Sequence, residues 1–238
     1  MDGEADVEVV RAHLKAVKDL TQAAALLSED ERKRAAAYRV SEARDVFVLA
    51  RGLLRKELAG RMGVKPRELE FALRPSGKPD VRRADESRPD WRFSVSHSGP
   101  HVAIAFAHGR DVGIDIERPG RKVEPLLIAR RYFTPKERST LETLPQEARA
   151  QAFFAGWTRK EAIVKARGHT MAESLATLSV SLEPEEPHPG YEDAQSDRPP
   201  CRLTAFEWPE HDLIGAVALQ GHLVPRLRFD VVSGSRFD

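Results

Sequence analysis

The chain has 238 residues, 32% of them charged, with a formal net charge of +1 and a single cysteine. The near-neutral charge excludes a global basic surface for nucleic acid or membranes, and one cysteine excludes an intrachain disulfide framework and a CxxC-type metal site. Since there is no apolar run of about 18–20 residues and no basic, apolar leader, we expect a cytoplasmic protein without a membrane partner.

The first third of the chain is predicted to be helical. A helical region is expected over about 6–37, and Ser28 and Glu31 have the spacing of a capping box within it. A second helix is predicted over about 41–60, because its apolar residues recur at three- and four-residue steps and form one buried stripe.

Three arginines lie along the second predicted helix. Arg44, Arg51 and Arg55 are seven and four residues apart, so they fall within about 40° of one another around the helix axis. Such a stripe is either a solvated face, a set of bidentate donors for a phosphate monoester, or a nucleic-acid contact. The lack of interleaved exposed aromatic residues disfavours the nucleic acid.

Short strands follow the second helix. Strands are predicted over about 69–73, 91–96, 102–107 and 111–117, the last three as an antiparallel meander, with a turn over 75–79 and a loop over 80–90. Lys78, between a glycine and a proline in that turn, is either a solubilising residue or a ligand clamp.

The second half of the chain repeats this style. Its predicted elements are helices over about 125–133, 135–144 and 145–167, a strand over about 178–182, an exposed loop over 183–200, and a hairpin of 201–207 with 213–219. Residues beyond Val224 carry little signal.

Asp115 and Glu117 give the most informative pattern of the chain. In a strand both carboxylates point to one face while Ile114 and Ile116 point to the other. Adjacent carboxylates repel each other unless a hard cation such as Mg²⁺ lies between them, with substrate phosphates completing its ligand shell. The alternative is an edge strand with an acidic, solvent-facing side.

A second acidic group lies on the long helix of the second half. Trp157, Glu161 and Lys165 share a helix face, with Lys160 beside them. Glu161 is either half of a surface ion pair or a third oxygen ligand, with both lysines holding phosphates. Ser96 and His97, which end a predicted strand at a Gly-Pro turn, are candidates for phosphate contacts.

Taken in order, these motifs closely resemble the 4′-phosphopantetheinyl transferases of the broad-specificity, surfactin-type class. The resemblance covers about 28–219, and Asp115 and Glu161 are 46 positions apart, as the family pattern expects. The motifs that carry it are Gly77-Lys78-Pro79, Phe93-Ser94-Val95-Ser96-His97-Ser98, Gly113-Ile114-Asp115-Ile116-Glu117 and Trp157-Thr158-Arg159-Lys160-Glu161-Ala162.

The resemblance implies an α+β fold of two similar halves related by pseudo-twofold symmetry, with antiparallel sheets packed with helices. The implied halves are 1–112, on the nucleotide side, and 113–238, which carries the metal-binding strand and the catalytic helix. Coenzyme A would bind in the cleft between them. The protein is expected to be a monomer with a pseudo-dimeric fold.

The resemblance also implies a role for each site residue. Asp115, Glu117 and Glu161 match the ligands of Mg²⁺ (or Mn²⁺), and Glu161, Lys165 and Asp115 match the catalytic residues, with Glu161 as general base. Glu137 matches a further acidic residue near the metal. The expected coenzyme A contacts are Arg51, Arg44, Lys78, Ser96, His97, Lys160 and Lys165, with Arg34 a more distant candidate for the 3′-phosphate; Glu31 occupies a position where some relatives have lysine.

The implied reaction transfers the 4′-phosphopantetheine arm of coenzyme A to a serine of an acyl or peptidyl carrier protein and releases 3′,5′-ADP. Such a transfer activates carriers for polyketide, nonribosomal peptide or fatty acid synthesis. A cluster of Arg121, Lys122, Arg130 and Arg131 is the candidate docking surface for an acidic carrier. The alternatives are a non-catalytic module that binds coenzyme A or a carrier, and a metal-dependent phosphatase or nuclease.

Overall fold

The structure is a computed structural model that describes residues 3–74, 78–82, 90–120, 123–168, 175–194, 198–232 and 237. Its helices are α1 Thr21–Leu26, α2 Glu29–Ala36, α3 Ser41–Met62, α4 Pro125–Tyr132, α5 Pro135–Thr143 and α6 Gln146–Arg167. Its strands are β1 Glu4–His13, β2 Glu70–Leu73, β3 Pro79–Arg82, β4 Trp91–Ser98, β5 His101–His108, β6 Val112–Glu117, β7 Leu178–Val180, β8 Tyr191–Asp193, β9 Cys201–Trp208, β10 Leu213–Gln220 and β11 Val224–Val231.

The two main sheets each pack against one long helix, which confirms the predicted α+β class. One sheet has the strand order β11-β1-β5-β4 and packs on α3; the other has the order β6-β10-β9 and packs on α6. A third apolar cluster, which includes Val9, Ala105, Ile114 and Val217, joins residues of both sheets and holds the halves together. Among the described residues, no helix has the length and apolar character needed to span a bilayer.

The similarity of the two halves extends to local details. Both α3 and α6 have 22 residues and end at a glycine with a left-handed backbone, Gly63 and Gly168. Capping boxes begin α2, at Ser28 and Glu31, and α5, at Thr134. These observations confirm the Ser28–Glu31 capping box and the predicted long helices.

The predicted helix over 6–37 is wrong at its beginning. Residues 4–13 form β1, which lies between β11 and β5 in the first sheet. Valines alternate with charged residues here, and β-branched side chains in a period of two favour a strand. Val7 and Val9 are fully buried on one face, and Val10 packs on the α3 side.

The end of the chain is also a strand, although the sequence beyond Val224 carries little signal. β11 pairs in parallel with β1, from Glu4 opposite Val224 to Arg11 opposite Val231. The last strand of the predicted 113–238 half therefore belongs to the sheet of the other half. The boundary at 112/113 stays a prediction.

The predicted meander of three strands is wrong at its third member. β4 and β5 form an antiparallel pair, but β6 pairs with β10 in the second sheet. The chain thus crosses between the sheets after β5. The predicted loop over 80–90 begins with β3, which pairs with β2; residues 83–89 and 75–77, with most of the predicted turn, lie outside the described residues.

Candidate active site

A glycine sets the distance between the acidic strand and the long helix. A Cβ atom on Gly113 of β6 would lie 1.9 Å from the carbonyl oxygen of Ala162 and 2.4 Å from the backbone nitrogen of Ala166, both on α6. Only glycine lets the two backbones approach this closely. Because Asp115 shares the strand face of Gly113, this contact brings α6 and its residues Glu161 and Lys165 over the carboxylate.

Asp115 is a buried carboxylate with two donors on one oxygen. The residue is 6% exposed, which excludes the solvent-facing alternative for Asp115. The Ser96 hydroxyl donates to Asp115 Oδ1 at 2.8 Å, and Lys165 Nζ donates to the same oxygen at 2.7 Å. Asp115 Oδ2 is buried and has no hydrogen-bond partner. Such an atom is costly to bury and marks a place for a ligand.

The other two acidic residues lie near Asp115. Glu117 Oε2 accepts a hydrogen bond of 2.7 Å from the Ser98 hydroxyl. Glu161 is 4% exposed, and burial together with repulsion from Asp115 raises its pKa to about 7, with a smaller contribution from Glu117 and against the effect of Lys165. A carboxyl group with such a pKa is poised to hold or release a proton at neutral pH.

The donor set fits a hard divalent cation. Carboxylate oxygens are the ligands that Mg²⁺ prefers, and the buried Asp115 Oδ2 has no hydrogen-bond partner. Mutual repulsion among the three carboxylates also favours a bound cation. In the described parts of the chain, no three Asp, Glu, His or Cys side chains are already arranged around a common ion position. The ion site therefore stays a prediction.

The two residues of the Ser-His motif differ in their surroundings. Ser96 is 5% exposed, and its hydroxyl also accepts a hydrogen bond from the backbone nitrogen of Ile116, so it is engaged inside the protein and does not face a ligand. The imidazole of His97 is exposed, while the surrounding protein and the Lys165 ammonium lower its pKa against the effect of Asp115. Of the two, only His97 is exposed, and its contact with a phosphate stays a prediction.

Lys160 does not lie with the site residues, and its predicted phosphate contact is wrong. Its side chain is fully buried, and Nζ donates to the carbonyl oxygens of Tyr132, Leu175 and Leu178 and pairs with Glu137 at 2.6 Å. Consecutive helix residues point about 100° apart, which separates Lys160 from Glu161. Glu137 belongs to this buried cluster and does not lie with Asp115, Glu117 and Glu161.

A cation that binds a capping-box glutamate and backbone carbonyls also occurs in the first half. Glu31, from the capping box at the start of α2, pairs with Arg55, whose guanidinium also donates to the carbonyl oxygens of Pro66 and Leu69. Arg55 and Lys160 are each the fifteenth residue of a 22-residue helix. Each cation therefore links a capping-box glutamate to the long helix and also binds carbonyl oxygens of the segment that follows that helix.

Arg51 lies beside the Glu31–Arg55 pair. It shares Glu31 with Arg55 and stacks over the Phe71 ring with its guanidinium carbon 4.5 Å from the ring centroid. The net effect of Arg55 and Arg51, against that of burial, lowers the pKa of Glu31. Glu31 thus orients Arg51 and neutralises part of its charge.

The other predicted coenzyme contacts are dispersed. Arg44 is exposed and pairs with its neighbour Asp45, and Arg34 stacks on the ring of Phe47. Lys78 Nζ donates to the carbonyl oxygen of Val112 at 2.9 Å, so it lies at the beginning of the acidic strand. Gly77, which belongs to the same motif, lies outside the described residues.

The predicted docking surface is described only in part. Arg130 and Arg131 are exposed on α4, together with Leu127, which is 64% exposed. Arg121 and Lys122 lie outside the described residues.

Two residues of the site were missed from the sequence. Gly113 and Ser98 both stand inside motifs quoted above, yet neither received a role. The signal for Ser98 was the alternation of Ser94, Ser96 and Ser98, which puts three hydroxyls on one face of a strand. The signal for Gly113 was a glycine inside a strand, which often marks a close backbone approach.

Comparison with known proteins gives the family. Residues 111–217 match the model described as 4′-phosphopantetheinyl transferase superfamily, and residues 15–108 match that of 4′-phosphopantetheinyl transferase, N-terminal. The chain is 36% identical to the 4′-phosphopantetheinyl transferase HetI of Nostoc sp., over 85% of this chain and 82% of that protein. It is 28% identical to the 4′-phosphopantetheinyl transferase Sfp of Bacillus subtilis, over 66% of each chain, and 28% identical to the human L-aminoadipate-semialdehyde dehydrogenase-phosphopantetheinyl transferase, over 66% of this chain and 53% of that one. With its two halves matched and its acidic residues gathered between β6 and α6, the chain belongs to the 4′-phosphopantetheinyl transferase superfamily.

Proposed function

We propose that this protein transfers the 4′-phosphopantetheine arm of coenzyme A to a serine hydroxyl of an acyl or peptidyl carrier protein, as a broad-specificity transferase of the surfactin type. The observation that carries the proposal is the placement of buried Glu161 near Asp115 and Glu117, with Lys165 bonded to Asp115 and the second oxygen of Asp115 without a hydrogen-bond partner. Three facing carboxylates next to a lysine suit a reaction in which a diphosphate is held by a cation.

Glu161 is proposed to accept the proton of the carrier serine. The serine oxygen forms a bond to the phosphorus that bears the pantetheine arm, and the bond from that phosphorus to the bridging oxygen breaks. The electron pair leaves with 3′,5′-ADP. A serine hydroxyl is a weak nucleophile, and a carboxylate placed at the reacting centre is the group that takes its proton as the attack begins.

Lys165 is proposed to stabilise the charge that develops on the leaving phosphate. Its Nζ bonds Asp115 and the carbonyl oxygen of Ile114 at 3.1 Å, which fixes the ammonium beside the carboxylates while 28% of the side chain stays exposed. Asp115, Glu117 and Glu161 would hold Mg²⁺ or Mn²⁺. When bound, that ion neutralises the negative charge of the diphosphate.

The first half is proposed to bind the nucleotide of coenzyme A. Arg51, oriented by Glu31 and Phe71, is the preferred partner of the 3′-phosphate, and Arg44 is the second choice. His97 and Lys78 lie toward the acidic strand and are proposed to contact the nucleotide side of the coenzyme.

The test is mass spectrometry of apo carrier domains incubated with the protein, coenzyme A and Mg²⁺. We expect a gain of about 340 Da on the carrier, the mass of the transferred arm. Matched controls are a carrier whose acceptor serine is replaced by alanine and the Asp115→Asn protein, and neither should give the gain. A protein that binds coenzyme A without modifying any carrier would instead be the non-catalytic binding module.

The carrier is proposed to dock on α4. Carrier domains are expected to be acidic, and Arg130 and Arg131 present positive charge beside the exposed Leu127. Charge reversal at both arginines should raise KM for the carrier and leave KM for coenzyme A unchanged. If KM for the carrier is unaffected, docking lies elsewhere. We further propose that the protein is a monomer, which light scattering after gel filtration would test.

A further inference from the structure

Three serines of β4 form a column against β6. The Ser94 hydroxyl accepts a hydrogen bond of 3.2 Å from the backbone nitrogen of Ile114, and the Ser96 hydroxyl accepts one of 3.3 Å from that of Ile116. The backbone of β4 pairs with β5, and that of β6 pairs with β10. The hydroxyls of Ser94 and Ser96 therefore accept hydrogen bonds from β6 as the backbone carbonyls of a neighbouring strand would, and they connect the two halves.

Two members of the column also donate to the acidic residues. Ser96 donates to Asp115 Oδ1 at 2.8 Å, and Ser98 donates to Glu117 Oε2 at 2.7 Å. Each of the three serines is 5% exposed, so water has little access to replace these contacts. Two residues before Asp115, on the same face of β6, the chain has Gly113. Ser94 therefore has no carboxylate at the corresponding position to bind.

The donors leave one oxygen of Asp115 for another partner. Ser96 and Lys165 both occupy Oδ1, while Oδ2 is buried and without a hydrogen bond. A carboxylate held at one oxygen by a hydroxyl and an ammonium has a fixed plane. Its second oxygen is then presented in one direction, toward the position of a cation or substrate.

We propose that Ser96 and Ser98 are positioning residues that orient Asp115 and Glu117 for the divalent cation. The importance of these carboxylates rests on the proposed function. The three acidic ligands all belong to β6 and α6, whereas the serines belong to β4, so the first half sets the geometry of a site whose ligands lie in the second. Ser96 acts through its hydrogen bond to Asp115.

The test compares Ser98→Ala and Ser96→Ala with Ser94→Ala as the matched control. Ser94→Ala removes one bond to a backbone nitrogen of β6 but no contact with a carboxylate. The readouts are the affinity for Mn²⁺ in the presence of coenzyme A, measured by titration calorimetry, the melting temperature, and kcat and KM for transfer. Residues that orient metal ligands typically change metal affinity about 10- to 100-fold.

We expect Ser98→Ala and Ser96→Ala to weaken Mn²⁺ binding by about 10-fold or more, and Ser98→Thr, which keeps the hydroxyl, to restore it. Ser94→Ala should lower the melting temperature and leave the Mn²⁺ affinity within about twofold, since it disturbs only the junction between strands. Equal loss of affinity in all three alanine variants, or wild-type affinity in Ser96→Ala and Ser98→Ala, would overturn the proposal, as would a wild-type protein that binds no Mn²⁺.

The Mn²⁺ titration separates this proposal from the proposed function. If the wild-type protein binds Mn²⁺ and coenzyme A but transfers nothing to any carrier, the proposed function fails. The affinities of the serine variants then still support or refute the positioning role.

Discussion

Replacement of Gly113 by alanine is the most direct test of how β6 and α6 form the site. The new Cβ would lie 1.9 Å from the carbonyl oxygen of Ala162, whereas ordinary contacts between such atoms are about 3.5 Å. Since the atoms it meets are helix backbone, α6 has to move by more than about 1 Å. We expect a loss of about 1–3 kcal/mol in the free energy of unfolding from overpacking.

The displacement of α6 should affect catalysis more than stability. Glu161 and Lys165 move with the helix, and a misplacement of about 1 Å at a reacting centre can cost about 100-fold in rate. Thermal melting should show a decrease of about 2–4 °C per kcal/mol for a chain of this size. kcat for transfer to a carrier is the second measurement.

Gly60 provides the control substitution. It is an exposed glycine inside α3, and a Cβ there would meet no atom within 4 Å. Gly60→Ala should therefore raise stability by up to about 1 kcal/mol through helix propensity and leave kcat unchanged. Wild-type melting and full kcat in Gly113→Ala would refute the tight approach of α6 to β6. Lower stability with full kcat would show that this approach does not position the catalytic residues.

Three further predictions concern single side chains. Lys160→Met should lower the free energy of unfolding by about 3–5 kcal/mol, measured by denaturant titration, because it leaves the buried carboxylate of Glu137 without its cation. Lys165→Met should lower kcat about 100-fold or more and change the melting temperature little. The reverse pattern would contradict a structural role for Lys160 and a catalytic role for Lys165. Burial and neighbouring cationic groups lower the pKa of His101 to about 4. Between pH 6.5 and 4 the imidazole is therefore protonated in the unfolded chain but neutral in the folded chain, so the free energy of unfolding should fall as pH decreases from about 6.5 toward 4. The melting temperature should fall less steeply in His101→Gln and as in wild type in His222→Gln, an exposed control; equal slopes in all three would refute the role of His101. Arg51→Ala should raise KM for coenzyme A but leave KM for 3′-dephospho-coenzyme A unchanged, and an equal rise for both would exclude a contact with the 3′-phosphate.

The elements that could be predicted from the sequence are those with long local patterns. The apolar stripe of α3 and the capping box at Ser28 are local, and so is the hairpin of β9 and β10; all three were confirmed. The prediction for β1 is wrong because its alternating valines directly precede a helical stretch, so the two patterns are hard to separate in the sequence. β11 failed because its partner, β1, is more than 200 residues away in the chain.

The candidate site shows the same division between local and distant information. Asp115 and Glu161 could be recognised from motifs, and the structure brings their charges close enough to shift the pKa of Glu161. Lys160 could not be assigned from its motif, because its partners are three carbonyl oxygens and Glu137 from other segments. Adjacency in sequence to a catalytic residue is therefore weak evidence on a helix, where the next residue points to another face.

The correspondence between α3 and α6 shows how the two halves differ at the position of the proposed base. Since Arg55 corresponds to Lys160 in helix position and in role, the next residue of α3, Lys56, corresponds to Glu161, and Gly60 corresponds to Lys165. The first half thus has a lysine where the second has the proposed base, so it lacks the carboxylate that would complete an equivalent site. The first half therefore has a similar fold without this carboxylate, and its residues make other contacts. Its β4 serines contact the acidic residues, and its arginines lie on the side proposed to bind the nucleotide.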